Sequence, residues 1–389
     1  MSSLLVISSA PATFVDGQPF LDKKFVEGMT AYADLWDGPV NCLLNIRVNT
    51  FPFGQLYDTN NLPFTVGFVN DGEKIAAKHL SNHDIVLCSG DSHEYLHLPE
   101  VCKANGHKLV FTIEYIIETR RQILSLDRAR SLPRKAYALA WMLNQEGRRR
   151  RAFRLADGVQ ANGYPAFNAY NPMNPNALLY LDNRVASGMF ATPDEMNVRE
   201  QKLQKGDRLR LLHSGRLEPM KGSQDIIPIA RRLATKGIDF EISVFGTGSL
   251  EPEIRDGIAR YNLRDQVKLC GVVDFQTELV PFARAHSDIF LSCHRQADPS
   301  CTYVESMGCG LAVIGYDNRM WAALCQESET GWTAPLGNAD ALADQIIVAD
   351  ADRTQVARYC QNARAFAENH SFDREFKKRI DHLRATLAA

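Results

Sequence analysis

Two cations, Arg216 and Lys221, stand on one glycine-flanked stretch, Gly215-Arg216-Leu217-Glu218-Pro219-Met220-Lys221-Gly222. The apolar run before it, residues 208–214, reads as a strand, so the stretch forms the loop at that strand's carboxyl end. Two cations there can neutralise a diphosphate and offset the charge that grows on a diphosphate as it leaves. Farther along, Asp298, Pro299, Ser300 and Cys301 lead into Thr302-Tyr303-Val304-Glu305, with the Thr-x-x-Glu spacing of a capping box. A helix that starts there and is closed by Gly308 and Gly310 offers unpaired N–H groups and the positive end of its dipole to an anion. Glu305, in the first turn, reaches groups placed beside that anion. Gly246 and Gly248, in Phe245-Gly246-Thr247-Gly248, let main chain approach a ligand closely. Position 251 is Glu251, so the dinucleotide fingerprint, which needs a third glycine, is not present.

These residues need a scaffold, and the alternation of apolar runs with helical segments supplies one. In the second half, strands fall at 208–214, 240–245, 267–270, 289–292 and 311–314. Helices lie between them and close the chain near 339–348, 353–368 and 373–387. Ser249 suits the N-cap of the helix after Gly248. In the first half, strands fall at 4–7, 40–44, 64–68, 85–88, 109–113, 158–161 and 178–181, with helices near 22–32 and 134–155. Such alternation predicts α/β architecture with doubly wound parallel sheets, which bind ligands outside the carboxyl ends of their strands. That placement draws in Gly17, Glu114 and His93. Taken singly, each has an ordinary reading as well: a turn glycine, a surface acid and a structural histidine. The pattern loosens into a polar stretch around residues 187–205, which marks the domain boundary.

The bulk properties agree with two domains in a chain of 389 residues, 45% hydrophobic and 23% charged. Nine scattered cysteines without a C-x-x-C pair indicate neither a disulfide framework nor a zinc site. Reduced thiols in the cytoplasm are expected. The apolar start, residues 1–9, lacks a basic leader and is too short to span a bilayer, so a soluble or peripheral chain is expected. Net charge is −2, yet residues 116–154 hold eleven Lys/Arg against three Asp/Glu. That run is either a solvated helix face or a surface drawn to anionic lipid headgroups on the inner face of a membrane, or to a phosphate-bearing acceptor. No stacking aromatics interleave with the arginines, so nucleic acid is not an expected partner.

Taken together, GRLEPMKG, then VFGTG, then ESMGCGLAVIGYD resemble the retaining GT-B glycosyltransferases of family 4. The resemblance covers the C-terminal domain in order. It is looser in the N-terminal half, where it rests on strand order, Gly17 and ADGVQANG at residues 156–163. It implies two Rossmann-like domains facing across a cleft: residues 1–190 on the acceptor side, residues 191–372 on the sugar-nucleotide donor side, and a helix at 373–389 crossing back.

By the same resemblance, Gly215, Arg216 and Lys221 hold the donor diphosphate, and Gly17, Gly246 and Gly248 line the donor site. Val272 and Val273 read the base, and Glu305 contacts the ribose. The stretch Pro299, Ser300, Cys301 and Thr302 offers main-chain N–H groups to the donor sugar and phosphate. His93 and Glu114 fall on the acceptor side. Two positions depart from the family pattern. The first acid of its E-x7-E motif would fall at Ala297, with Asp298 beside it, and Glu114 ends a strand where the family often has histidine. The implied reaction takes a nucleotide-diphosphate sugar as co-substrate, with no metal and no other cofactor. The implied acceptor is a glycan or lipid-linked glycan, in polysaccharide or cell-envelope synthesis. A sugar-nucleotide epimerase on the same fold and a non-catalytic sugar-nucleotide binder remain open alternatives, with a carbohydrate phosphorylase the least fitting.

Overall fold

The computed structural model describes residues 2–46, 50–51, 54–70, 72–127, 130–297 and 299–389. The chain divides into two compact units. Residues 1–120, 131–180 and 375–389 make up the first, and residues 121–130 and 181–374 the second. Most of the last helix, Phe372–Ala388, therefore counts with the first unit.

The first unit holds strands β1 (Leu4–Val15), β2 (Gln18–Asp22), β3 (Val40–Ile46), β4 (Gly54–Leu56), β5 (Thr65–Val69), β6 (Ile85–Ser89), β7 (Lys108–Ile113), β8 (Gly158–Asn162) and β9 (Ala177–Tyr180). Its parallel core runs β5-β3-β1-β6-β7-β8-β9, so chain order reverses between β1 and β6. Leu4 to Ile7 pair with strands on both sides and are buried, which is why they read as an unbroken apolar run. β1 continues beyond the expected end, and Ala12–Val15 pair antiparallel with β2. The turn between them is Asp16 (φ 50°) and Gly17 (φ 78°), two left-handed residues as a type I′ hairpin requires. Gly17 is therefore an exposed turn glycine, its ordinary reading, in a hairpin rather than at the carboxyl edge of the parallel sheet.

The second unit holds β10 (Leu209–Ser214), β11 (Phe240–Phe245), β12 (Val267–Gly271), β13 (Ile289–Ser292), β14 (Ala312–Tyr316) and β15 (Gly331–Ala334). All pair in parallel in the order β12-β11-β10-β13-β14-β15, with the reversal between β10 and β13. Both units are thus Rossmann-like, doubly wound α/β sheets, as the alternation predicts.

The polar stretch at 187–205 is not loose. Thr192 caps helix Pro193–Gln204 in a full capping box with Glu195, at 3.2 and 2.7 Å. From that helix the buried Arg199 donates to the carbonyls of Arg284, Cys309 and Gly310 at 2.8, 3.1 and 2.7 Å. Those are C-terminal acceptors around helices Val280–His286 and Thr302–Gly308, so one guanidinium satisfies two helix ends that burial would otherwise leave short of donors.

Candidate functional site

In the second unit the carboxyl ends of β10, β11 and β12 are laced together by glycines. Gly215 N–H donates to Phe245 O at 3.0 Å, and Gly246 N–H to Gly271 O at 2.7 Å. The loops that follow are zipped by Leu217 N–H to Thr247 O at 2.9 Å and Leu250 N–H to Leu217 O at 3.0 Å. A Cβ at Gly246 or Gly248 would sit 1.9 Å from Gly215 O or 2.4 Å from Leu217 O. Glycine at those positions is therefore required by the neighbouring loop itself, not only by a ligand. Gly215 differs: its φ is +146° and the space beside its Cα is open.

Ser249 does not cap the next helix. Its N–H and hydroxyl both bond Glu218, at 2.9 and 2.6 Å, and helix Glu251–Arg260 starts after Leu250. The two loops are tied together again. Val272, just past β12, stands 73% exposed, with Val273 half-buried beside it.

Arg216 is exposed and Lys221 half-buried. The loop bearing them is fixed against the end of β13. Gly222 has φ +72°, and a Cβ there would lie 1.8 Å from Cys293 O. Arg295 N–H reaches Met220 O at 3.4 Å, and the Arg295 guanidinium forks onto Asp225 at 2.7 and 3.1 Å. Asp225 also accepts from Tyr316 hydroxyl at 2.8 Å. The fork between charged groups is the strong kind of hydrogen bond, and it holds the Lys221 loop without using Lys221.

Two buried histidines lie under this loop. His213 donates from Nδ1 to Leu291 O at 3.0 Å, leaving Nε2 for Ser223 hydroxyl at 3.5 Å. His294 is 1% exposed, and its Nδ1 has no partner among the described residues. Burial, then the Lys221 charge, then His213 hold the His294 imidazole well below the ordinary histidine range, and burial lowers His213 too. Both are neutral in the fold. Below pH 6.5 the unfolded chain takes up protons that these two rings refuse, so stability is full above that pH and falls as pH drops. The expected slope reaches up to about 1.4 kcal/mol per pH unit for each ring. Urea midpoints measured between pH 7.5 and 5 should fall below pH 6.5, less steeply in His294→Leu; a flat midpoint would refute this coupling.

Asp298 lies outside the described residues. Ala297, before it, is buried and donates its N–H to Gln122 Oε1 at 3.4 Å. Pro299 is buried too, and Ser300 and Thr302 share a hydroxyl contact of 2.8 Å. The expected capping box at Thr302 and Glu305 does not form. Cys301 is the N-cap of helix Thr302–Gly308, and Glu305 N–H closes an ordinary helical bond to Cys301 O at 3.0 Å. The Glu305 carboxylate is drawn away instead by Arg184, whose Nε and Nη2 meet its two oxygens at 2.8 and 3.2 Å. Arg184 in turn stacks over Phe275 at 3.8 Å. Beneath the helix, Tyr303 stacks on Trp321 and accepts from Asn318, which also holds His294 O. A stacked pair of this kind adds about 0.5–1.5 kcal/mol beyond its buried area.

In the first unit a cavity of about 290 Å³ opens at the β1/β6 switch point. Its lining includes Ser8, Ser9, Lys24, Ser89, Asp91, Thr112, Glu114 and Arg379 over an apolar floor. Asp91 organises one end: it accepts from the N–H groups of Glu114 and Tyr115, each at 3.0 Å, and from Arg120 at 2.6 Å. Burial pushes its carboxyl up from the ordinary range, against the pull of Arg120. Arg379 is held at the other end by Gln160 and by the rings of Tyr180, Phe376 and Tyr32. His93 is not part of this cavity. It lies exposed against Trp141 and lines a second hollow with Glu94 and Arg148, so the structure does not bring His93 and Glu114 together.

The basic run is partly internal. Arg149 is buried, donating to Gly90 O at 2.8 Å and Glu146 at 3.0 Å, and Arg120 is committed to Asp91. Arg128 lies outside the described residues. Sequence reasoning missed Asp91, Arg184 and Arg379. Asp91 had a signal, because it follows the strand at 85–88 by three residues.

Residues 194–366 match the family model described as Glycosyl transferases group 1. That segment is similar to the group 1 glycosyltransferases. It holds Arg216, Lys221, the glycine loops and Glu305. The amylovoran biosynthesis glycosyltransferase AmsK of Erwinia amylovora is 31% identical over 166 residues, 41% of this chain and 40% of its own length. The putative colanic acid biosynthesis glycosyltransferase WcaL of Escherichia coli is 26% identical over 180 residues, 43% of this chain and 42% of its own. The similarity thus spans about two-fifths of these relatives. In fold, HepE of Anabaena, solved in complex with UDP, is similar with TM-score 0.67 at 15% identity, covering 99% of this chain and 100% of that one. The sucrose-phosphate synthase of Thermosynechococcus elongatus gives 0.66 at 14% identity, covering both chains completely. The chain therefore has the GT-B fold. Among the described residues no helix is long and apolar enough to cross a membrane.

Proposed function

We propose that the chain is a retaining glycosyltransferase of family 4. It moves a sugar from a nucleotide-diphosphate sugar to a glycan or lipid-linked acceptor, in polysaccharide or cell-envelope glycan synthesis. One arrangement carries the reading: inside the matched segment, a loop with two cations is clamped to the strand end that leads into Ser300–Glu305. The printed roles of AmsK and WcaL support the polysaccharide setting.

In this reading Arg216 and Lys221 hold the donor diphosphate beside the open main chain of Gly215. Val272 and Val273 lie under the base, and Gly246 and Gly248 shape the loop around it. Ser300, Cys301 and Thr302 offer N–H groups to sugar and phosphate, while Pro299, which has none, sets the direction of the chain. The acceptor hydroxyl attacks the anomeric carbon on the face the diphosphate leaves, the carbon–oxygen bond to phosphate breaks, and the acceptor's proton passes to the leaving phosphate. Arg216 and Lys221 meet the growing negative charge, and no metal is assigned a step. The cavity around Asp91 and Glu114 takes the acceptor. Gly17 and His93 keep only minor parts, at the rims of their own elements.

Glu305 hydrogen-bonds the ribose while shared with Arg184. Hydrogen bonds to charged groups contribute about 1.5–3 kcal/mol. Glu305→Ala should therefore raise the donor KM roughly ten- to hundredfold, read from initial rates over a donor series; an unmoved KM would take Glu305 out of the donor site. The reading as a whole is tested by the anomeric configuration of the transferred sugar, seen by NMR of the product. Retention of the donor configuration is expected, and an inverted linkage would overturn the mechanism.

A further inference from the structure

Arg184 is held in place by its neighbours along the chain. Asn183 and Val185 on either side are buried. Val185 N–H donates to Asn183 Oδ1 at 2.9 Å, and the Asn183 amide donates to Leu181 O and His370 O, each at 2.8 Å. Val185 O accepts from Phe372 N–H at 3.0 Å. The same segment lies close against helix Thr302–Gly308, since a Cβ at Gly308 would come within 2.8 Å of the Val185 side chain. Arg184 thus starts from fixed main chain beside the helix that bears Glu305.

Its guanidinium joins three elements of the second unit. Nε and Nη2 fork onto the two oxygens of Glu305 at 2.8 and 3.2 Å, and Cζ lies 3.8 Å from the centre of the Phe275 ring. Phe275 follows Val272 and Val273 in the turn after β12. The ion pair is unequal: the Arg184 side chain is 45% exposed and that of Glu305 6%. The acid is the buried partner, so the fork both offsets its desolvation and points its two oxygens. Each carboxylate oxygen has two lone pairs, and the fork uses one on each. What remains is a fixed pair of acceptors, suited to two hydroxyl groups side by side.

We propose that Arg184 is a positioning residue that sets Glu305 against the vicinal hydroxyls of a ribose, so that the donor is a ribonucleoside diphosphate sugar and not a 2′-deoxyribonucleoside one. The proposal rests on the reading of Glu305 as the ribose contact, and adds the residue that orients it and the pentose it selects. A 2′-deoxyribose brings one hydroxyl to acceptors arranged for two. One oxygen of a buried charged group is then left without its donor, and sites built to bond a hydroxyl reject analogues that lack it. Without Arg184 the carboxylate loses the partner that offsets its burial and fixes its direction, and the preference goes with it. Phe275 steadies the guanidinium from its other side.

The test is titration calorimetry of the full chain with UDP, GDP, CDP and ADP and with their 2′-deoxy counterparts, which requires no turnover. For the base that binds, the ribonucleotide should bind roughly ten- to hundredfold more tightly than the deoxyribonucleotide, the effect of one hydrogen bond to a charged group. Arg184→Met should weaken the ribonucleotide about tenfold and bring the two forms within about threefold of each other. Glu305→Gln should do the same, and the double variant should bind no more weakly than Glu305→Gln alone, because Arg184 acts through that carboxylate. If far-UV circular dichroism shows Arg184→Met unfolded, Arg184→Lys, which keeps the charge without the planar fork, is expected to lose the preference instead. Equal affinity for the two forms in the unaltered chain, a preference that survives in a folded Arg184 variant, or losses that add in the double variant would overturn the proposal and leave the transfer reading standing. A chain that binds none of these nucleotides would overturn both.

Discussion

Lys221→Ala should lower turnover roughly 10²- to 10³-fold at saturating donor, the cost of losing one preorganised charge at a leaving group. The fold around it is expected to survive. The loop is held by Gly222 against Cys293, by Arg295 N–H on Met220 O and by the Arg295–Asp225 fork, and these contacts do not need the Lys221 ammonium. The loss should therefore appear in kcat more than in donor KM, because the ammonium matters most when the diphosphate carries its full departing charge. Lys221→Arg should recover part of the rate by keeping the charge, with different geometry. Turnover unchanged in Lys221→Ala would remove the residue from the chemistry.

The second large effect is expected at Asp298. We propose that it takes over the sugar contacts of the acid the family pattern places at 297, where this chain has the buried Ala297. Asp298→Ala should cost roughly 10²-fold or more in transfer while the affinity for free nucleotide diphosphate stays close to that of the unaltered chain. The split separates an acid on the sugar from one that merely stabilises the loop, since a collapsed loop would weaken nucleotide binding as well. Near-normal transfer in this variant would end the proposed role.

The scaffold was largely legible because parallel strands buried on both faces are written as apolar runs. Leu4–Ile7, Ile85–Cys88 and Ala312–Ile314 needed nothing else. Local pattern misled at the capping boxes. Thr-x-x-Glu occurs at 192–195 and at 302–305, and the box forms at the first. There Pro193 holds Thr192 extended and starts the helix at the next residue. At the second, Cys301 precedes the helix and Arg184, 121 residues away, claims the carboxylate. No local pattern announces a partner at that distance, and the same holds for Arg379, which enters the first unit's cavity from the last helix. The turn after β1 was readable from Asp16-Gly17, and the turn-glycine reading of Gly17 holds, while the antiparallel strand β2 that follows it was not among the expected strands. The arginine run mixed two kinds of residue. Helical periodicity separates them, placing Arg149 inside and Arg148, Arg151 and Arg154 outside.

The central claim is that the second unit delivers a sugar from a nucleotide diphosphate to an acceptor. Nucleotide release measured across a panel of UDP-, GDP- and dTDP-sugars, with and without crude lipid extract as acceptor, tests it most directly. Proposed transfer predicts release from one donor that rises sharply when extract is added, with the sugar recovered in the lipid fraction. Tight donor binding without release from any donor, or conversion of the donor to a free epimer, would contradict it.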